Sequence, residues 1–261
     1  MVGIGQLFGI TLPENFEQPF FSRNISELWR RWHITLGLWL KDYVFYPVLK
    51  SRMLKALGRG LRPRFGKDAS RRIPTYVGML ILWSLIGLWH GASFNFIFGT
   101  GLLQFLYIFT GELFEPLFAK VRQLLHVNAE SLGWRVFQSL RTTALMLVAW
   151  TFFNSKTFMD AVNMLGRLFA LPSPSQVSAV FSSESLSGVN AGAFLALVAI
   201  AALLLFAIDL LRERGKSVFS LAFGHGPALG TLVIGAMLLC IVVFGAYGGG
   251  YDASNFIYFE F

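Results

Sequence analysis

IPTYVGMLILWSLIGLWHGASFNFIFGTGLLQFLYIFTG, running from Ile73 to Gly111, contains no Asp, Glu, Lys or Arg. Roughly 20 apolar residues in a helix cross a bilayer core of about 30 Å, and this run is about twice that length. It therefore predicts two tightly joined membrane spans. In lipid every backbone N–H and C=O must be satisfied within the segment, and the chain lacks the alternating short strands of a barrel. The predicted fold is an all-α, polytopic transmembrane helix bundle with amphipathic or re-entrant helices. The only titratable side chains in the run are His90, Tyr76 and Tyr107.

Working outward, Ser187 to Ile208 and Ser217 to Tyr251 are also free of charge, the second with a spanning part at Ala228 to Ala246. Val136 to Phe153 becomes a span if Gln138 and Arg141 face protein or reach the interface. Composition agrees: 55% of the 261 residues are hydrophobic, 14% are charged, and the mean hydropathy is +0.59. A soluble domain carries about 25% charged residues, so a water-wetted globule is excluded. The net charge of +8 comes from Lys50 to Arg72, which holds nine basic residues and one acid. The excess is a local basic loop, which argues against a broad nucleic-acid surface. Lys and Arg beside spans stay on the cytoplasmic side, so this loop is expected inside, the segment Pro172 to Gly188 outside, and the C-terminus outside. Cys240, in AMLLCIVV, excludes an intrachain disulfide and a cysteine-rich zinc site. The opening MVGIGQLFGI reads as the end of a helix begun upstream.

Two histidine neighbourhoods stand out. NISELWRRWHITLGLWLKDY, Asn24 to Tyr43, opens with a capping residue and a Glu three positions on. At 100° per residue Trp29, Trp32, His33, Leu36, Trp39, Leu40 and Tyr43 share one face of a single amphipathic helix, with Arg30, Arg31, Lys41 and Asp42 opposite. The plain reading of His33 is a buried structural histidine. The second is LWSLIGLWHGASFNF, where His90 is an ionisable residue inside an uncharged run, a placement that is costly and points to function. The alternative is packing glue between helices. His126 and His225 read as interfacial, and Gly248 to Gly250 as a hinge. No metal-ligand spacing, serine elbow or phosphate-binding Gly-Lys motif occurs, so no metal site is expected.

Taken together, ENFEQPFFSRNISELWRRWHITLGLWLKDYVFYPV, IGLWHGASFNFIFGTG and the terminal FIYFEF resemble the membrane-bound O-acyltransferases. The likeness is to the bacterial branch holding alginate O-acetyltransferases and the teichoic-acid D-alanyl transfer protein. It runs from Met1 to Phe261 and reads as the C-terminal portion of one O-acyltransferase domain, with residues 248–261 as an extracellular tail. The resemblance implies that His90 is the catalytic histidine of a tunnel through the membrane and that His33 is the second tunnel histidine.

It further implies transfer of an acyl group, expected to be acetyl, from a cytoplasmic thioester toward hydroxyls of a cell-envelope polysaccharide. The expected donor is acetyl-CoA or an acyl carrier protein, used as substrate, with no bound cofactor. The expected partners are the lipid bilayer, an extracellular transferase protein and the polysaccharide acceptor, in a bacterial plasma membrane. Histidine, with an ordinary pKa near 6.5, suits removal of a hydroxyl proton at neutral pH. Tyr258, in Phe256-x-Tyr258-x-x-Phe261, is an aromatic anchor on composition alone. The resemblance implies instead a transient acyl carrier. D-alanyl transfer to teichoic acid and a non-catalytic scaffold remain alternatives. A transporter is disfavoured, because Asp209 at a span end is the only nearby carboxylate.

Overall fold

The computed structural model describes residues 2–168, 170, 173–175, 178, 191–224 and 226–244. Among the described residues every regular element is helical: α1 (Val2–Leu7), α2 (Ile25–Arg31), α3 (Ile34–Leu40), α4 (Tyr46–Lys50), α5 (Arg52–His90), α6 (Phe94–Phe96), α7 (Leu103–Leu113), α8 (Glu115–Leu124), α9 (Leu132–Phe153), α10 (Phe158–Arg167), α11 (Ala191–Glu213), α12 (Val218–Phe223) and α13 (Pro227–Phe244). Met1–Leu171 and Pro172–Phe261 pack as separate compact units.

Four helices are long and apolar enough to cross a membrane: Arg52–His90, Phe94–Leu113, Leu132–Phe153 and Gly192–Glu213. The uncharged run from Ile73 to Gly111 divides into two of them at Gly91, whose φ of 155° ends α5. The apolar stretch Ala228–Val243 of α13 is shorter than these four. Leu203, Leu204 and Leu205 on α11 are more than 60% exposed, an arrangement that lipid stabilises and water would not. The protein is a multi-pass, all-α membrane protein.

In the first unit α2, α3, α5, α7 and α9 meet around Ile25, Leu28, Leu40, Trp83, Ile86, Ile108 and Met146. Helices without a water-driven apolar effect between them pack through small residues. Here Gly87, Gly99 and Gly101 do this. A Cβ at Gly87 would lie 2.7 Å from Ile97 Cα, one at Gly101 2.5 Å from the Trp83 carbonyl, and one at Gly99 2.5 Å from Phe152 Cβ. The π-helical turn Ile97–Leu102 is thus pressed between α5 and α9. Buried Gln104 adds a polar tie, accepting from Trp29 Nε1 of α2 at 3.1 Å and donating to the Gly99 carbonyl at 3.4 Å.

Two sequence expectations are corrected. Asn24 to Tyr43 is not one amphipathic helix: Trp32 is extended and His33 left-handed, so α2 ends and α3 begins between them. Asn24 does cap α2, its side chain accepting from Glu27 N at 2.8 Å. The break splits the second half of the expected face: Leu40 stays in the core with Leu36 packed on it, whereas Trp39 and Tyr43 stack on each other while 54% and 68% exposed. Lys50 to Arg72 is likewise not a loop: Lys50 ends α4, and Arg52 to Arg72 is the first part of α5, interrupted at Gly66 with φ 78°. A Cβ on Gly58 would lie 2.9 Å from the Ser70 carbonyl, whereas twelve residues of straight helix would separate them by about 18 Å. The basic segment is therefore a helical hairpin.

In the second unit α11 ends on Gly215 at φ 72°, where the amides of Gly215 and Lys216 bond back to the carbonyls of Arg212 and Leu211. The chain then turns through α12 into α13.

Candidate active site

His33 is placed by an upstream segment. Phe16 pairs with Trp32 in an isolated antiparallel bridge, and Glu17 N donates to the Arg31 carbonyl at 2.9 Å. On the other side of the break the Asn15 carbonyl accepts from Ile34 N at 3.0 Å. Asn15 Oδ1 takes both Thr35 N at 3.1 Å and Thr35 Oγ1 at 2.9 Å. These bonds satisfy the amides freed where the helix stops, and they hold His33 at φ 50°, ψ 45°. Its ring lies 5.0 Å from Phe16 and 5.8 Å from Trp32, centroid to centroid. Burial lowers its pKa below the ordinary 6.5, which keeps it neutral at physiological pH.

His90 is the last residue of α5. Its ring is set between Trp89 at 4.7 Å and Phe153 of α9 at 5.6 Å. The space beside Gly91 is taken by the Phe96 ring: a Cβ there would lie 2.6 Å from Phe96 Cδ2. Phe96 also packs on Phe153, at 5.3 Å. Asn95 anchors this arrangement. Its buried side chain donates to the carbonyls of Phe152 at 3.2 Å and Ser155 at 2.6 Å, and it accepts from Ser93 Oγ.

Both histidine neighbourhoods meet the same end of α9, which presents Trp150 to Trp32 beside His33 and Phe153 to His90. Trp32 and Trp150 pack at 5.4 Å, and Phe20 lies 6.3 Å from the first and 6.1 Å from the second. With Phe16, Phe153 and Trp89 they give both histidines aromatic surroundings. Among the described residues neither imidazole side chain has a hydrogen-bond partner, and both are half-buried. An imidazole in such surroundings can accept a proton from a hydroxyl and return it to a leaving group.

Tyr258, His225 and Gly248 to Gly250 lie outside the described residues, as does most of the segment Pro172 to Gly188. His126 is exposed in the turn after α8, at φ 49°. Sequence reasoning missed Asn15, Asn95, Gln104 and Trp150. Asn95 and Gln104 did carry a signal, being amides inside an uncharged run, where a polar group needs a partner. Asn15 and Trp150 carried none.

Comparison with known proteins adds to this geometry. Residues 2–59, which include His33, match the family described as MBOAT, membrane-bound O-acyltransferase family. The chain is 28% identical over 228 residues to "Probable alginate O-acetylase AlgI" of Pseudomonas syringae pv. tomato, covering 87% of this chain and 38% of that protein. It is 28% identical over 170 residues to "Peptidoglycan O-acetyltransferase" of Helicobacter pylori, with 65% and 27% covered. To "Teichoic acid D-alanyltransferase" of Bacillus subtilis it is 34% identical over 100 residues, with 37% and 22% covered. The chain thus spans well under half the length of each of these relatives. Through these matches the chain is similar to membrane-bound O-acyltransferases, most directly over residues 2–59.

Proposed function

We propose that the chain takes part in O-acyl transfer to a cell-envelope polysaccharide at a bacterial plasma membrane, with His90 as general base. The observation that carries the proposal is that the neighbourhoods of His90 and His33, 57 residues apart in sequence, both pack on the end of α9, through Phe153 and Trp150. The likeness to proteins named as alginate and peptidoglycan O-acetylating enzymes supports the reaction class, and makes acetyl the favoured group.

The donor is a cytoplasmic thioester, acetyl-CoA or a loaded acyl carrier protein. His90 takes the proton of an attacking hydroxyl as its oxygen bonds to the thioester carbonyl carbon. The C–S bond breaks, and the proton passes to the departing thiolate. His33 lines the path and positions the acceptor. Tyr258 is the first acceptor: its phenol becomes an acyl ester, which an extracellular transferase partner passes to the polysaccharide. A phenol has a pKa near 10 and an alcohol one far higher, so that second transfer runs downhill.

The test is transfer of radiolabelled acetyl to polymer in cells carrying the gene and its partners. His90→Ala should lower it by about 10²- to 10⁴-fold with the protein still in the membrane. Tyr258→Phe, which keeps the ring and removes the nucleophile, should abolish labelling of the protein. Normal acetylation in His90→Ala refutes the base assignment, and normal acetylation in Tyr258→Phe refutes the relay. Transfer of D-alanine in place of acetyl selects the teichoic-acid reading. Loss of acetylation on deletion of the gene, but not in His90→Ala or Tyr258→Phe, selects a non-catalytic scaffold.

A further inference from the structure

The helical hairpin that replaces the expected basic loop flanks an open cleft of about 520 Å³. Lys55, Arg59 and Arg62 from its first arm and Arg71 from its second line the cleft together. Retention of cations on one side of a membrane accounts for their number but not for their convergence on one concavity. None of the four has a salt bridge among the described residues, and Asp68, the only carboxylate between Lys50 and Arg72, does not line the cleft. All four are exposed, so solvent screens their mutual repulsion and their charge is open to an arriving anion. The close approach of the arms at Gly58, where a Cβ would meet the Ser70 carbonyl at 2.9 Å, holds the two sets of cations at this spacing.

The remaining walls decide the anion. Leu49, Leu54 and Pro74 line the same cleft, and Pro74 stands at the start of the uncharged run. Leu49 reaches onto the next turn of the span, with its Cδ2 at 3.0 Å from where a Cβ on Gly78 would be. The cleft is therefore cationic toward the basic hairpin and apolar toward the span. A wholly water-soluble phosphate compound gains nothing from the second part, whereas a phospholipid places its headgroup phosphate in the first and its glycerol and acyl carbons along the second. Basic pockets beside membrane helices recognise acidic headgroups in this way.

We infer that the cleft is a binding site for the headgroup of an anionic membrane phospholipid. It holds the hairpin against the membrane surface.

The test uses the full chain purified in neutral detergent and titrated with short-chain phosphatidylglycerol, short-chain phosphatidylcholine, inorganic phosphate and coenzyme A, each followed by tryptophan fluorescence. Saturable binding of phosphatidylglycerol, with phosphatidylcholine and inorganic phosphate at least tenfold weaker, is expected. Each cation near a membrane surface contributes about fivefold, so Arg59→Gln with Arg62→Gln should weaken binding about 25-fold. Arg59→Lys with Arg62→Lys should keep most of it, which separates lost charge from lost folding. Arg212→Gln with Arg214→Gln, removing equal charge elsewhere, should leave it unchanged. Equal losses in this control pair overturn the site in favour of bulk electrostatics. Tighter binding of coenzyme A than of phosphatidylglycerol overturns the lipid in favour of a soluble phosphorylated ligand, and no saturable binding overturns both.

Discussion

Gly101→Ala is the sharpest perturbation the fold offers. Its new Cβ would stand 2.5 Å from the Trp83 carbonyl, 3.2 Å from Gly87 Cα and 3.3 Å from Gly87 N. All three are backbone atoms of α5, so no rotamer change relieves the contact. Ordinary van der Waals contact begins at 3.4 Å, so the π-helical turn and α5 must part by about 0.9 Å. Overpacking of this kind costs about 1–3 kcal/mol. The separation acts on Trp83 and Gly87, about two turns and one turn before His90, and so displaces the imidazole from Phe153 of α9. A misplacement of about 1 Å in a catalytic group costs on the order of 10²-fold in rate. Gly111→Ala is the control, since a Cβ there meets nothing within 4 Å. The assays are thermal melting of the purified protein in detergent and labelled-acetyl transfer in cells. Gly101→Ala should melt lower and lose about 100-fold in transfer, while Gly111→Ala changes neither. Wild-type melting and transfer in Gly101→Ala would refute the close approach and the role of glycine spacing in placing His90.

Gln104→Leu should lower stability by about 1 kcal/mol, because it strands Trp29 Nε1. Trp29→Phe added to it should cost less than in the wild type, which a double-mutant cycle of melting temperatures reads directly. Burial lowers the His33 pKa below 6.5, so below about pH 6.5 the unfolded chain takes up a proton that the folded chain resists. Stability associated with neutral His33 is thus present above pH 6.5 and lost as pH falls through the lowered folded value. Melting temperature between pH 8 and pH 5 should fall in the wild type and fall less in His33→Gln; identical slopes would place the acid sensitivity elsewhere.

The spans were legible because membrane insertion is decided by counting apolar residues, which needs no knowledge of neighbours. Ile73 to Gly111, Val136 to Phe153 and Ser187 to Ile208 each correspond to helices of spanning length. The break at Trp32 and His33 was not legible. Trp29, Trp32, Leu36 and Leu40 keep helical spacing across it, and what stops the helix is Asn15, Phe16 and Glu17 competing for its backbone groups from upstream. The hairpin escaped for the opposite reason. Pro63 and Gly66 among many charges look like a loop, yet only Gly66 leaves the helical conformation. His90 was identified as a site from its cost in lipid. Its neighbourhood shares the end of α9 with that of His33 through packing of α5 and the α2–α3 break, which no local pattern encodes.

Both histidines occur where a helix is interrupted, and the geometry of helix packing explains why. Axes of packed helices lie about 8–10 Å apart, with the intervening space filled by side chains that interdigitate. Two imidazoles in helix interiors would be part of that filling and have no free approach for a reacting hydroxyl. Placed at an end, a side chain leaves the packed seam while its backbone remains anchored by the helix behind it. His90 does this through Gly91, whose φ of 155° is open mainly to glycine. His33 does it at a cost, since a left-handed non-glycine residue stores about 1–3 kcal/mol. Offsetting that are the bonds from Ile34 and Thr35 to Asn15 and from Glu17 to Arg31. The segment from Asn15 to Glu17 is therefore what fixes the conformation of His33, and it belongs to the proposed site together with the two histidines.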